Sequence, residues 1–200
     1  RVFNVGSTVV DNIRDISCVP PVTERYALMT QHPVTGFPEL GYKETTNILR
    51  ALGDNGIRTF ITAPNNEFGS EDIRRAIEDG LTSYSTLSYV GNLGWYNYLH
   101  HLKHATFAIG NSSSHLLEAP ILGTVSIDVG PRQRDRELTK SVIVVDNSLI
   151  QIKEAICEAL TVSEMPIEHP FGSGGVGEKI LNVVDKWIVR SEIVNKKFTY

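Results

Sequence analysis

The sequence predicts an α/β fold, a Rossmann-like parallel sheet with helices on both faces. Two observations carry this. Short apolar runs alternate with longer stretches of helical spacing along nearly the whole chain, and strands separated by helices pair in parallel. Polar loops marked by glycine and proline also follow the strands, at 31–36, 64–66, 91–94, 110–114 and 131–137. In a parallel sheet such loops share one edge, beyond the carboxyl ends of the strands, where ligands bind.

Residues 2–5 are a short apolar run ending at Gly6 and read as a first strand, and Val9, Val10, Ile13 and Ile16 give helical spacing over 8–16. Pro20 and Pro21 break that pattern, and 25–30 is a strand entering the loop Gln31-His32-Pro33-Val34-Thr35-Gly36. Residues 42–55 are a helix stopped by Gly56, and 57–63 a strand ending at Pro64-Asn65-Asn66. Ser70 is expected to cap the next helix, with Glu71 and Asp72 in its first turn and Gly80 at its end. A strand over 87–90 and the 91–94 loop lead to a helix over 95–104. That helix holds His100, His101 and His104, but a metal would need ligands that the neighbourhood does not offer, so they read as surface residues.

The most informative stretch is 106–123, a strand, a small polar turn and the start of a helix holding one acid, Glu118. Glycine lets the chain turn sharply, while Asn111 and the serines can cap the helix and leave its first N–H groups pointing at a ligand. Phosphate suits such a place. A carboxylate repels phosphate, so Glu118 fits neutral hydroxyls better, as the acid on a ribose does in nucleotide-binding folds. The other reading is a capped core helix with Glu118 a solvated charge. Beyond it come a strand over 124–129, the loop Pro131-Arg132-Gln133-Arg134-Asp135-Arg136-Glu137, a strand over 142–145 and a helix over 149–160. Gly172-Ser173-Gly174-Gly175-Val176-Gly177 matches the dinucleotide glycine fingerprint formally, but no strand precedes it, so it reads as a turn opening the last helix, 176–189.

With 200 residues, 41% hydrophobic and 21% charged, the chain can bury a sizeable core. A formal net charge of -4 implies no basic surface for nucleic acid, and no apolar run approaches membrane-spanning length. Cys18 and Cys157, without framework spacing, read as reduced thiols of a cytoplasmic protein. The opening Arg-Val-Phe, on a strand-like run without methionine, suggests a piece of a longer protein.

Taken in order, VGST, QHPVTG, APNNEFGSED, GNSSSHLLEAP, GPRQRDRE and PFGSGG resemble the hydrolysing UDP-N-acetylglucosamine 2-epimerases of the sialic-acid pathway type. The resemblance implies the C-terminal half of a two-domain glycosyltransferase-B-type fold. Residues 1–170 would be the nucleotide-sugar-binding domain and 171–200 the glycine turn and a helix crossing toward an N-terminal domain absent from this chain, leaving Trp187 more exposed than a core tryptophan. The family's non-hydrolysing branch carries a histidine-arginine pair and a serine-glycine turn, so Pro33 and Ser113 favour the hydrolysing branch. By position, His32 matches the family histidine near the diphosphate and is the catalytic candidate. Asn65 and the Leu93 backbone match nucleotide and uracil contacts, Ser112 and Ser113 the diphosphate serines, Glu118 the ribose acid and Arg132 a phosphate-side arginine. One departure is the Asn92-Leu93-Gly94 loop, where the animal enzyme is basic. The implied activity converts UDP-N-acetylglucosamine or a diacetamido analogue to UDP and the free sugar, through a glycal, with no cofactor or metal. The catalytic carboxylates would lie on the absent domain, and the full-length protein would be a homo-oligomer. A glycosyltransferase of the same fold would lack the QHPVT histidine, and a non-catalytic module would bind nucleotide without turnover.

Overall fold

The computed structural model describes residues 2–13, 16–37, 39–163, 165–168 and 171–188. Among them, strands β1 (Ala27–Thr30), β2 (Thr59–Thr62), β3 (Leu87–Gly91), β4 (Phe107–Gly110), β5 (Ser126–Val129) and β6 (Val142–Val145) form one sheet. The order is β3-β2-β1-β4-β5-β6 and every neighbouring pair is parallel. The helices are α1 (Val9–Asn12), α2 (Leu40–Asp54), α3 (Ser70–Ser83), α4 (Gly94–His104), α5 (Ser114–Leu117), α6 (Ala119–Leu122), α7 (Leu149–Thr161) and α8 (Val176–Ile188).

The central strand shows why both faces are covered. All four residues of β1 are buried, and successive side chains point to opposite faces. Ala27 and Met29 pack with Ile48, Leu49 and Leu52 of α2, Ile73 and Ile77 of α3, and Ile152 and Ile156 of α7. Leu28 joins the opposite core, with Val10 of α1, Leu99 and Leu102 of α4, and Ile121 of α6. Each such aliphatic side chain contributes about 1.5 to 3 kcal/mol on burial.

Several elements differ from expectation. Residues 2–5 are not a strand. They run along the end of the described chain, where the Ser7 N–H donates to the Phe171 carbonyl at 2.9 Å and the Phe3 and Trp187 rings lie 5.6 Å apart. The first helix is confined to α1, although Val10, Ile13 and Ile16 are all buried as its spacing required. Gly80 does not end its helix. A Cβ there would lie 2.8 Å from Leu49 Cδ1, so the glycine lets α2 and α3 approach, and α3 runs on to Ser83. Ser70 makes no side-chain cap, because Gly69 holds the N-cap position at φ 94°.

Two histidines of α4 tie down the segment between α1 and β1. His100 and His104 bond the Val19 and Ser17 carbonyls, and His101 bonds Asn97 O within the helix. At the other end the Asp11 carboxylate accepts the Gly175 and Val176 N–H groups, at 2.6 and 2.8 Å, and caps α8. Trp187 is half-buried, while Leu181 on the same helix is 62% exposed. Residue 189, the expected end of that helix, lies outside the described residues. Cys18 and Cys157 are free and exposed. No described helix is long and apolar enough to cross a membrane.

Candidate functional site

From β1 the chain winds outward through β2 to β3, then returns along α4 to β4 on the other side of β1. The loops after β1 and β4 therefore diverge and leave a crevice at the carboxyl edge. At this switch point Gly110 has φ 130°, and a Cβ on it would fall 2.1 Å from the Thr30 carbonyl oxygen. Only glycine lets the two strand ends approach this closely.

Asn111, next in the chain, is fully buried. Its Oδ1 accepts the His32 N–H and its Nδ2 donates to the His32 carbonyl, both at 2.8 Å. The side chain thus continues the β1–β4 ladder after the backbone pairing stops. It does not cap the helix as expected, and Ser113, at the N-cap of α5, makes no side-chain cap either. The Asn111 carbonyl accepts Gln133 Nε2 at 2.7 Å and Arg132 Nη1 at 3.2 Å. Arg132 Nε donates to the Pro33 carbonyl at 3.2 Å, and its Nη2 lies 4.0 Å from the Glu67 carboxylate. The Asn65 N–H donates to His32 Nδ1 at 3.1 Å. The loops after β1, β2, β4 and β5 are thereby bonded into one edge, and His32, Asn65, Ser112 and Arg132 are brought together there.

The bond to Nδ1 fixes the chemistry of His32. A ring nitrogen that accepts an N–H carries no proton, so the neutral imidazole keeps its proton on Nε2. Burial, with the Arg132 charge adding to it and Glu67 opposing, lowers its pKa to about 4. His32 is therefore a neutral donor at neutral pH, beside a half-buried guanidinium.

Glu118 sits where α5 passes into α6. It is half-buried rather than solvated, burial raises its pKa, and its Oε2 is buried without a hydrogen-bond partner. An acid held this way suits a ligand hydroxyl. Leu93 is the N-cap of α4, where the Gly94 N–H bonds Asn92 Oδ1 at 2.8 Å. It is joined to the crevice through α4, whose Tyr98 reaches the serine turn, and through Gly91, whose carbonyl accepts the Ala63 N–H at 3.0 Å.

A layer of buried polar groups underlies the crevice. Glu44, bonded by Gln31 Nε2 at 3.2 Å, has its pKa raised by burial to about 7, with Asp128 adding to the rise. Burial raises Asp128 to about 7 as well, against the Arg132 and Arg136 charges. His115 is fully buried and lowered to about 3 by burial and then by His32. Neither of its ring nitrogens reaches hydrogen-bond geometry, and the Gly110 carbonyl offsets the burial only in part. Among the described residues no three His, Cys, Asp or Glu side chains converge as metal ligands. A hollow of about 880 Å³ lies elsewhere, between residues 4–7 and Phe171, Gly172 and Ser173. It is a surface recess made where the two ends of the described chain meet, and among the described residues its charged linings are Glu137 and Lys179. The switch point, with its convergent buried donors, is the better candidate site.

Sheet order and crevice together define a doubly wound α/β domain, a class that takes ligands at the switch point. The chain belongs to the UDP-N-acetylglucosamine 2-epimerase family, whose sequence model matches residues 1–185. The UDP-N-acetylglucosamine 2-epimerase of Neisseria meningitidis serogroup B is 30% identical over 177 residues, covering 84% of this chain and 46% of that protein. The hydrolysing UDP-N,N'-diacetylbacillosamine 2-epimerase of Legionella pneumophila is 24% identical over 209 residues, covering 100% of this chain and 55% of that one. The chain thus spans about half the length of the curated relatives it matches. Methanocaldococcus jannaschii UDP-GlcNAc 2-epimerase, crystallised with UDP-GlcNAc and UDP, has the same fold, with a TM-score of 0.70 at 20% identity over 92% of this chain and 54% of that chain.

Proposed function

We propose that this chain is the UDP-binding half of a hydrolysing UDP-N-acetylglucosamine 2-epimerase. The observation that carries the reading is the bonding of the neutral His32, Ser112's turn and Arg132 into one edge at the switch point. Removal of the proton at C2 and cleavage of the bond between C1 and the β-phosphate oxygen give a glycal and UDP. Water then adds across the double bond, with hydroxyl at C1 and hydrogen at C2 on the inverted face. Since no carbonyl acidifies C2, the barrier falls only if departure of UDP is strongly favoured. His32 Nε2–H, the Ser112 and Ser113 hydroxyls and the Arg132 guanidinium are donors for the leaving diphosphate, and preorganised donors of this kind contribute about 3 to 4 kcal/mol each. Glu118 accepts from the ribose, and Asn65 and the Leu93 backbone hold the nucleoside.

The hydrolysing branch is supported by Pro33 and Ser113, and by the hydrolysing activity named for the Legionella relative. That relative's name also makes a diacetamido sugar the second substrate to assay. The base at C2 is assigned to an N-terminal domain of the same protein. The test is calorimetric titration of the chain with UDP, followed by incubation with UDP-N-acetylglucosamine. Binding without UDP release is expected, because a missing base forfeits about 100 to 10,000-fold in rate. Release at the rate of the full-length protein would place the catalytic groups in this half, and no binding of UDP would refute the reading.

A further inference from the structure

Beneath the serine turn runs a chain of hydroxyls of which the activity just described uses Ser112 alone. Thr62 Oγ1 lies 2.9 Å from Thr30 Oγ1, and Thr30 Oγ1 donates to Tyr98 Oη at 3.4 Å. Tyr98 Oη is in close contact with Ser114 Oγ. Ser114 Oγ donates to Ser112 Oγ at 2.9 Å, and the Ser114 N–H points at the same Ser112 oxygen at 3.4 Å. Thr30, Thr62, Ser112 and Ser114 are buried and Tyr98 is half-buried, so this is an interior chain that ends at the turn.

Counting protons fixes its direction. A hydroxyl has one proton and two lone pairs. Ser114 gives its proton to Ser112, so at the Tyr98 contact the phenol must be the donor. Ser112 Oγ accepts from both the N–H and the O–H of Ser114, which occupies both lone pairs. What Ser112 has left is its own proton. A hydroxyl in that state attracts an anion and cannot turn a lone pair toward it.

We propose that Tyr98 is a positioning residue, its phenol holding Ser114 so that Ser112 presents a hydrogen-bond donor to the diphosphate. The inference rests on the reading that the serine turn faces the diphosphate. Without the phenol, Ser114 Oγ becomes an open acceptor, and the Ser112 proton can turn inward to it. The ligand must then select the outward orientation from a mixture, and the cooperative polarisation along the chain is lost. Burial keeps the phenol protonated, with the nearby Glu118 charge adding to that effect.

The test is calorimetry on the intact protein with UDP and, separately, uridine, using wild type, Tyr98→Phe, Ser114→Ala and the double variant. Each single variant is expected to bind UDP about tenfold more weakly, the loss of one hydrogen bond shared with a charged partner, with uridine affinity held within about twofold. Both substitutions break one chain, so the double variant should also lose about tenfold and not about a hundredfold. If Tyr98→Phe does not fold, Ser114→Ala alone carries the comparison of UDP with uridine. Unchanged UDP affinity, equal loss of UDP and uridine, or a hundredfold additive loss overturns the relay while leaving the crevice as the nucleotide site. A wild type that does not bind UDP overturns the site and the relay together.

Discussion

Replacing Asn111 with alanine removes both bonds that join the serine turn directly to His32. Each is 2.8 Å long, and Asn111 is fully buried, so the substitution strands the His32 N–H and carbonyl. A buried backbone group left without a partner costs about 1 to 3 kcal/mol. His32 is half-buried, so water reaches part of its loop and the lower half of that range applies. The sum is about 3 kcal/mol. In a protein of this size each kcal/mol moves the melting temperature by about 2 to 4 °C, which predicts a fall of about 6 to 12 °C in a circular-dichroism melt. Asn111→Asp is the control. It keeps an acceptor for the His32 N–H but turns a second oxygen on the His32 carbonyl, so it should melt no higher than alanine when ionised and recover part of the loss when protonated. An alanine variant melting within about 2 °C of wild type would show that other contacts hold the two loops together.

Four of the buried titratable groups offset one another in mildly acidic solution. His32 and His115 fall from 6.5 to about 4 and about 3, so their contribution is present above 6.5 and is lost as pH drops toward those values. Glu44 and Asp128 rise from 4.5 and 3.8 to about 7, so theirs is present at low pH and is lost as pH climbs toward 7. Between about 4.5 and 6.5 the unfolded chain holds protons on the two histidines and the folded chain on these two carboxyls, so the four cancel; Glu118, also raised by burial, is left over, and the urea midpoint should be level or fall as Glu118 ionises. A midpoint rising steadily through that window would show that these assignments are wrong. Glu118→Gln should leave the melting temperature unchanged or slightly raised, since a buried unpartnered oxygen loses its charge. It should also weaken UDP binding by about 1.5 to 3 kcal/mol, and calorimetry giving wild-type affinity would remove Glu118 from the ribose.

Order and type of the central elements were legible because period and punctuation agreed. The apolar run at 107–110 between a helix and a polar turn could hardly be other than a strand, and all its neighbours paired in parallel as the alternation required. Residues 2–5 misled because so short an apolar run does not say whether it pairs or is covered at all. Here Val2 is 99% and Phe3 45% exposed, and what Phe3 meets is the Trp187 ring. Gly80 misled for a related reason, since a glycine that makes room for Leu49 looks the same in sequence as one that ends a helix. At the site, the 31–36 and 131–137 loops stood out by polarity and position and His32 and Arg132 within them by the family resemblance, but Asn111 read as a cap because Asn before a helix usually is one. Its bonds reach His32, 79 residues away in sequence. Tyr98 and Gln133 gave no signal, for what matters in them is a partner that only the fold supplies.

The meeting of Phe3 with Trp187, and of Asp11 with Gly175 and Val176, makes the described chain nearly a closed ring. A ring of this kind can be opened elsewhere. A short linker joining residues 3 and 187, with new termini cut into an exposed surface loop, would preserve every strand neighbour while changing which strands are synthesised first. Every strand pair but β5–β6 must form across an intervening helix, so such a permuted chain would separate the order of folding from the architecture it reaches.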